Sequence, residues 1–204
     1  MEEILPGIFH WTSFHEGIHS RVHSYYVSAL CPACLIDPRV PKEGLAWFGG
    51  RPTPQNIYLT NRHHYRHSQA FAAIFGATVW CDEQGLHEFT HGEAVRPLKH
   101  GQTLPGGVVA LPVGALCEEE TAFYLPLDNG VVAFGDALVE LDGGLGFVPD
   151  ELMGDDPAAV KQGLLKSFRK ILDQRPFKHL LMAHGSPVTD RGHEALAQFV
   201  AEAQ

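Results

Sequence analysis

The sequence predicts an α/β fold, on the strength of three apolar runs that each end in a chemically reactive residue. Asn56-Ile57-Tyr58-Leu59-Thr60 is rich in strand formers and delivers His63, His64 and His67, followed by an apolar helical pattern at Ala70, Phe71, Ile74 and Phe75. Val131-Val132-Ala133-Phe134-Gly135-Asp136 ends in a carboxylate, and Leu180-Leu181-Met182-Ala183-His184-Gly185 ends in histidine and glycine. Loops at the carboxyl ends of strands are where α/β folds hold metals and reactive groups, and neutral imidazole is the commonest metal ligand. The order His, Asp, His therefore suggests one site assembled from distant parts of the chain. Each piece alone has a plainer reading: a polar helix entrance, a turn-capping aspartate, a strand-ending histidine. Only their joint order argues for a site.

The remaining elements follow in turn. Ile4–Trp11 reads as a strand, Phe14–His23 as an irregular histidine-bearing segment, and Ser24–Leu30 as a second strand. Cys31-Pro32-Ala33-Cys34 reads as a tight turn before the return strand Leu35-Ile36-Asp37. The segment 38–54 carries four prolines and three glycines and is loop-like. After the strand at 56–60, a helix of about ten residues ends near Gly76. A strand at Thr78–Cys81 and a short helix at Glu83–Phe89 come next. Strands are predicted near 95–99, 107–113, 121–126 and 131–134, the last two joined by the hairpin signal Asp128-Asn129-Gly130. Asp155 or Asp156 is placed to cap a helix with Pro157 in its first turn, and Leu164, Leu165, Phe168, Ile171 and Leu172 give that helix its apolar stripe. A strand at 178–183 and an amphipathic helix from Arg191 to Ala203 complete the chain.

At 204 residues one domain spanning 1–204 suffices. The 45% hydrophobic and 19% charged content is ordinary for a soluble protein. No apolar run approaches the ~18 residues of a membrane span, and acidic Met1-Glu2-Glu3 lacks a signal-peptide pattern, so a cytoplasmic location is expected. The net charge of −9 argues against nucleic acid as a partner. A small-molecule substrate or ligand is expected instead, with the oligomeric state open and Trp47 and Phe48 as candidates for a contact or lid. Cys31, Cys34, Cys81 and Cys117 are expected as thiols. Cys31 and Cys34 lack a second Cys-x-x-Cys to complete a zinc knuckle, and a hairpin turn is favoured over a redox motif. Glu118-Glu119-Glu120 reads as a solvated acidic turn, and the glycines at 143–146 lack the Lys-Ser/Thr of a phosphate loop.

The order of Thr60 with its histidine cluster, Gly135-Asp136 and His184-Gly185, together with the opening segments Ser24–Val27 and Leu35–Asp37, resembles the metallo-β-lactamase superfamily and its hydroxyacylglutathione hydrolase (glyoxalase II-like) branch. The resemblance spans nearly the whole chain and implies a four-layer αββα sandwich with the site along one edge. It also implies a departure. The family's Thr-His-x-His-x-Asp-His is here Thr60-Asn61-Arg62-His63-His64-Tyr65-Arg66, and Cys117 falls where a later histidine belongs. Arg66 cannot donate a lone pair and is expected to pair with Asp136 in place of a second metal. A first position held by His63, Cys117, Asp136 and His184, with His64 and His67 as alternates, would accept one zinc or iron ion, although the metal-free state is favoured. The expected activity is hydrolysis of an ester, thioester or lactone-like bond: Asp136, His184 and His63 act as acid–base groups, and Arg66, Asn61 and Tyr65 bind substrate. The alternative is a non-catalytic, metal-free ligand- or partner-binding protein.

Overall fold

The computed structural model describes residues 1–141 and 143–203. Strands β1 (Glu2–Leu5) and β2 (Ile8–His15) are separated at Pro6-Gly7, so the single strand expected over Ile4–Trp11 is two. Gly7 turns there with φ 74°, and a Cβ on it would lie 2.7 Å from that of Ala29. β3 (Ser20–Val27) pairs with β2 from Ile8↔Val27 to His15↔Ser20. The segment Phe14–His23 is thus a hairpin rather than irregular. Residues 16–21 at its tip are exposed, and the few apolar side chains around them, Phe14, Ile18 and Val22, do not alternate as a strand would.

β4 (Cys34–Ile36) returns antiparallel to β3, and β5 (Asn56–Tyr58) lies parallel to β4. Helix α1 (Ser68–Phe75) ends at left-handed Gly76 and crosses to β6 (Thr78–Asp82), with β7 (Val95–Leu98) beyond it. Seven strands form this sheet in chain order. A second sheet contains β8 (Val109–Pro112), β9 (Thr121–Leu125) and β10 (Val131–Phe134), antiparallel and in sequence. Asp128, Asn129 and Gly130 all take positive φ between β9 and β10, as that turn chemistry requires. A small ribbon of β11 (Val139–Leu141) and β12 (Gly144–Gly146) follows. Helix α2 (Pro157–Gln174) starts at Asp156, whose carboxylate accepts from the Ala159 amide. β13 (His179–Met182) then pairs parallel with β10, and α3 (Gly192–Glu202) closes the chain.

The alternation of side chains builds the layers. Val131, Ala133 and Leu181 face the seven-stranded sheet and meet Tyr25, Ile36, Tyr58 and Trp80. Val132, Phe134, Leu180 and Met182 face outward and take Leu164, Phe168 and Ile171 of α2 with Leu196 of α3. On the other side, Phe71 of α1 packs on Leu35, Ile57 and Val79. The result is an αββα sandwich. Tyr25 stitches its halves together: its buried hydroxyl donates to Met182 O at 2.8 Å and accepts from Met182 N at 3.1 Å. The carboxyl ends of β4, β5, β10 and β13 converge on one edge.

Candidate functional site

Four strand ends supply the residues at that edge: Asp37 after β4, Thr60 to Arg66 after β5, Asp136 after β10 and His184 after β13. The Asn61 side chain accepts from the His63 amide at 3.0 Å and starts a short 3-10 segment over Arg62–Tyr65 that kinks at His64. This turn decides which histidine enters the site. His63 is exposed, whereas His64 is buried. Where the sequence pointed to His63, the structure places His64 beside Asp136 and His184 and leaves His63 exposed.

The His64 Nδ1 lies 3.0 Å from Asp37 Oδ2, and its Nε2 lies 3.2 Å from Asp136 Oδ1. His184 Nε2 sits 3.0 Å from the same Asp136 oxygen and 3.4 Å from His64 Nε2. Behind them, Asp37 also accepts from Thr60 N at 2.9 Å and from Thr60 Oγ1 at 2.7 Å. Burial works against charge on His64, but the Asp136 and Asp37 carboxylates outweigh it and raise its pKa to about 9. Burial likewise opposes ionisation of Asp136, yet the two imidazoles hold its carboxyl well below the usual range. Asp37 and Arg66 both adopt left-handed backbone, with φ 46° and 45°. Non-glycine residues pay for that conformation, and such strain concentrates at functional sites.

Several predicted residues take other roles. Arg66 does not form paired hydrogen bonds with Asp136, because its Nη1 donates to the carbonyls of His23 at 2.7 Å and Asp37 at 2.8 Å. Asn61 is spent on structure: its Nδ2 donates to Asp136 Oδ2 and Glu120 Oε2, both at 2.9 Å. Tyr65 lies tilted against Phe89 at 5.6 Å between ring centroids and packs on the α1 side of the sheet. His67 Nδ1 accepts from the Val40 amide at 3.0 Å and pins the loop after β4. Cys117 donates to Glu120 Oε2 at 3.6 Å and lies outside the cluster of His64, Asp136 and His184, and burial beside Glu120 and Glu119 drives its thiol pKa far up. The acidic turn is not solvated as expected: Glu119 and Glu120 are buried. Arg62 pairs with Glu119, and Glu120 Oε1 accepts from Ala137 N at 3.0 Å. Burial and the neighbouring Asp136 raise the Glu120 pKa to about 8.

Among the described residues, His64, Asp136 and His184 are the His, Cys, Asp and Glu side chains whose ligand atoms gather within 4.8 Å of one another. Ligand atoms around a tetrahedral ion, with bonds of about 2.0–2.2 Å, stand about 3.3–3.6 Å apart. The three separations here, 3.0, 3.2 and 3.4 Å, come close to that. Two imidazoles and one carboxylate are a chemically sound donor set for zinc or iron. His184 and Asp136 keep 20% and 25% of their side-chain surface exposed, so a ligand can reach them. The donors fit one ion. The missed member was Asp37, which ends the run Leu35-Ile36-Asp37 just as Asp136 ends its own.

No family model and no curated protein matches the sequence. Solved structures do match in shape. DIM-1 metallo-β-lactamase superposes with a TM-score of 0.74 over 100% of this chain and 97% of its own, at 16% identity. The metallo-β-lactamase family protein TTHA1429 from Thermus thermophilus gives 0.67 over 98% and 80%, at 19% identity. TTHA1623, solved in a di-iron-bound form, gives 0.65 over 88% and 94%, at 25% identity. The chain has the metallo-β-lactamase fold.

Proposed function

We propose that this metallo-β-lactamase-fold chain is a mononuclear metal-dependent hydrolase acting on an ester, thioester or lactone-like bond. The observation that carries the reading is the triangle of His64, Asp136 and His184. His64 and His184 would ligate through Nε2 and Asp136 through Oδ1. When bound, a zinc or iron ion supplies polarisation of an acyl oxygen and activation of water. Asp37 fixes His64 with its Nδ1 protonated, which aims the Nε2 lone pair at the site. Asn61, anchored on Glu120, holds Asp136 by Oδ2 and leaves Oδ1 to the two imidazoles. A second ion is not part of the proposal, since Asn61, Tyr65 and Arg66 are all engaged elsewhere.

One observation favours a second reading. With both ring nitrogens against carboxylates, His64 is an imidazolium in the absence of metal, a cation already in place. The chain would then be a metal-free ligand-binding protein, with His64 rather than Arg66 in the cation's position. Loading chelator-treated protein with zinc or ferrous iron separates the two. The hydrolase reading expects one equivalent bound, lost in His64→Ala, and turnover of simple thioesters or esters by the loaded protein. No retained metal from either ion would refute it.

A further inference from the structure

Four buried side-chain atoms among the described residues lack a hydrogen-bond partner: His15 Nδ1, Arg39 Nε, Arg66 Nη2 and Ser68 Oγ. Buried polar groups are nearly always paired, because leaving one unpaired costs about 1–3 kcal/mol. Three of these four belong to one neighbourhood beside the triad. Arg66 Nη1 donates to Asp37 O, and two residues on, the Arg39 amide donates to Ser24 Oγ at 3.0 Å, which itself donates to Asp37 O at 2.8 Å. The Arg39 carbonyl accepts from the Trp11 indole at 2.9 Å. Arg39 is thus fixed at both ends of its backbone and is 8% exposed. His15 ends β2 across from these cations, and burial first, then the charges of Arg39 and Arg66, lower its pKa.

Arg66 has Asp37 and Asp136 near it. Arg39 has Glu16, whose Oε2 lies 3.1 Å from its Nη2 but whose side chain is 77% exposed. A buried guanidinium with a free Nε, countered by a carboxylate from a solvent-exposed hairpin end, is built to accept an oxyanion. The planar guanidinium presents paired donors to carboxylate or phosphate alike.

We propose that Arg39, Arg66 and His15 form an oxyanion subsite next to His64, Asp136 and His184, taking the carboxylate or phosphate of a small ligand. Glu16 stands in for that anion and is displaced when the ligand enters. That the anion belongs to the substrate hydrolysed at the triad rests on the proposed function. Occupancy of the subsite itself does not.

Titration calorimetry of metal-free protein with inorganic phosphate, and separately with acetate, tests the subsite. At low ionic strength at least one should bind, and the stronger of the two reports whether phosphate or carboxylate is preferred. Arg39→Gln should weaken binding at least about tenfold. Glu16→Gln should tighten it several-fold by removing the competing carboxylate. Lys99→Gln, at a remote surface ion pair with Glu83, should leave it unchanged. Glu16 is exposed, so its variant tests the idea without disturbing the core should Arg39→Gln misfold. Absence of binding by both anions, or binding insensitive to Arg39→Gln and Glu16→Gln, overturns the proposal. Metal loading of the same samples reads the triad separately, so the failure of one proposal is distinguishable from failure of the other.

Discussion

Asp37→Asn is the sharpest perturbation of the site, because it conserves shape while reversing one proton. Asp37 accepts from Thr60 N through Oδ1, and from Thr60 Oγ1 and His64 Nδ1 through Oδ2. An asparagine with its oxygen toward Thr60 N keeps the first bond and turns its NH2 toward His64. The imidazole then accepts at Nδ1 and carries its proton on Nε2, the atom that should bind metal. Loss of such an outer partner weakens metal affinity by about 10- to 100-fold. The same change removes one charge-assisted hydrogen bond, worth about 1.5–3 kcal/mol. With a urea m-value of about 1–3 kcal/mol/M, the midpoint should fall by roughly 1 M. Competition for zinc against a chromophoric chelator gives the affinity, and circular dichroism in urea gives the stability. An unchanged zinc affinity, at whatever stability, would refute the tautomer argument and with it His64 as the ligand.

Other expectations are simpler. Tyr25→Phe leaves Met182 N and O unpaired between the sheets and should cost about 1–3 kcal/mol in denaturant unfolding. Gly135→Ala places a Cβ 2.4 Å from Thr60 Oγ1 and 2.8 Å from Glu120 Oε1, and should destabilise by about 1–3 kcal/mol while weakening metal retention. Because the folded pKa of His64 is raised to about 9 from 6.5, its stabilising contribution is complete below about pH 6.5 and lost as pH rises through about 9. The thermal midpoint of metal-free protein should therefore fall across pH 7–10, and His64→Gln should flatten that fall. Burial raises the Cys34 thiol pKa far above its ordinary value while Cys31 is exposed, so iodoacetamide should label Cys31 and spare Cys34 in native protein. Equal labelling would revive the redox reading.

The framework was legible wherever local chemistry and tertiary packing agree. Asp128-Asn129-Gly130 needs positive φ and receives it; Asp156-Pro157 caps and opens α2; the apolar runs at 131–134 and 180–182 alternate between two packed layers. The β2–β3 hairpin is illegible because its outer half pairs backbone to backbone around an exposed polar tip, with Phe14 and Val22 too isolated to mark a hydrophobic period. Glu119 and Glu120 were misread for a related reason. Burial of a carboxylate depends on partners supplied from elsewhere, here Arg62, Asn61 and the Ala137 amide, none within the acidic run itself.

The histidine register shows where sequence matching reaches its limit. Aligning Thr60 onto a family pattern assigns His63 by counting, but counting assumes the backbone conformation that the pattern came from. Here Asn61 replaces a ligand by a capping side chain, and the cap winds the chain into a 3-10 turn that points the next histidine inward instead. Asp37 rewards that choice with a hydrogen bond that His63 cannot reach from its exposed position. In the proposed site, a good cap at position 61 thus goes together with His64, rather than His63, as the ligand. It follows that Asn61→Ala should act beyond its own contacts: with the cap gone, the turn loses its anchor, and metal binding should weaken even though Asn61 is not a proposed ligand. Crystallography of that variant would show whether His64 still reaches Asp136; if it does so unchanged, Asn61 is not what sets the register.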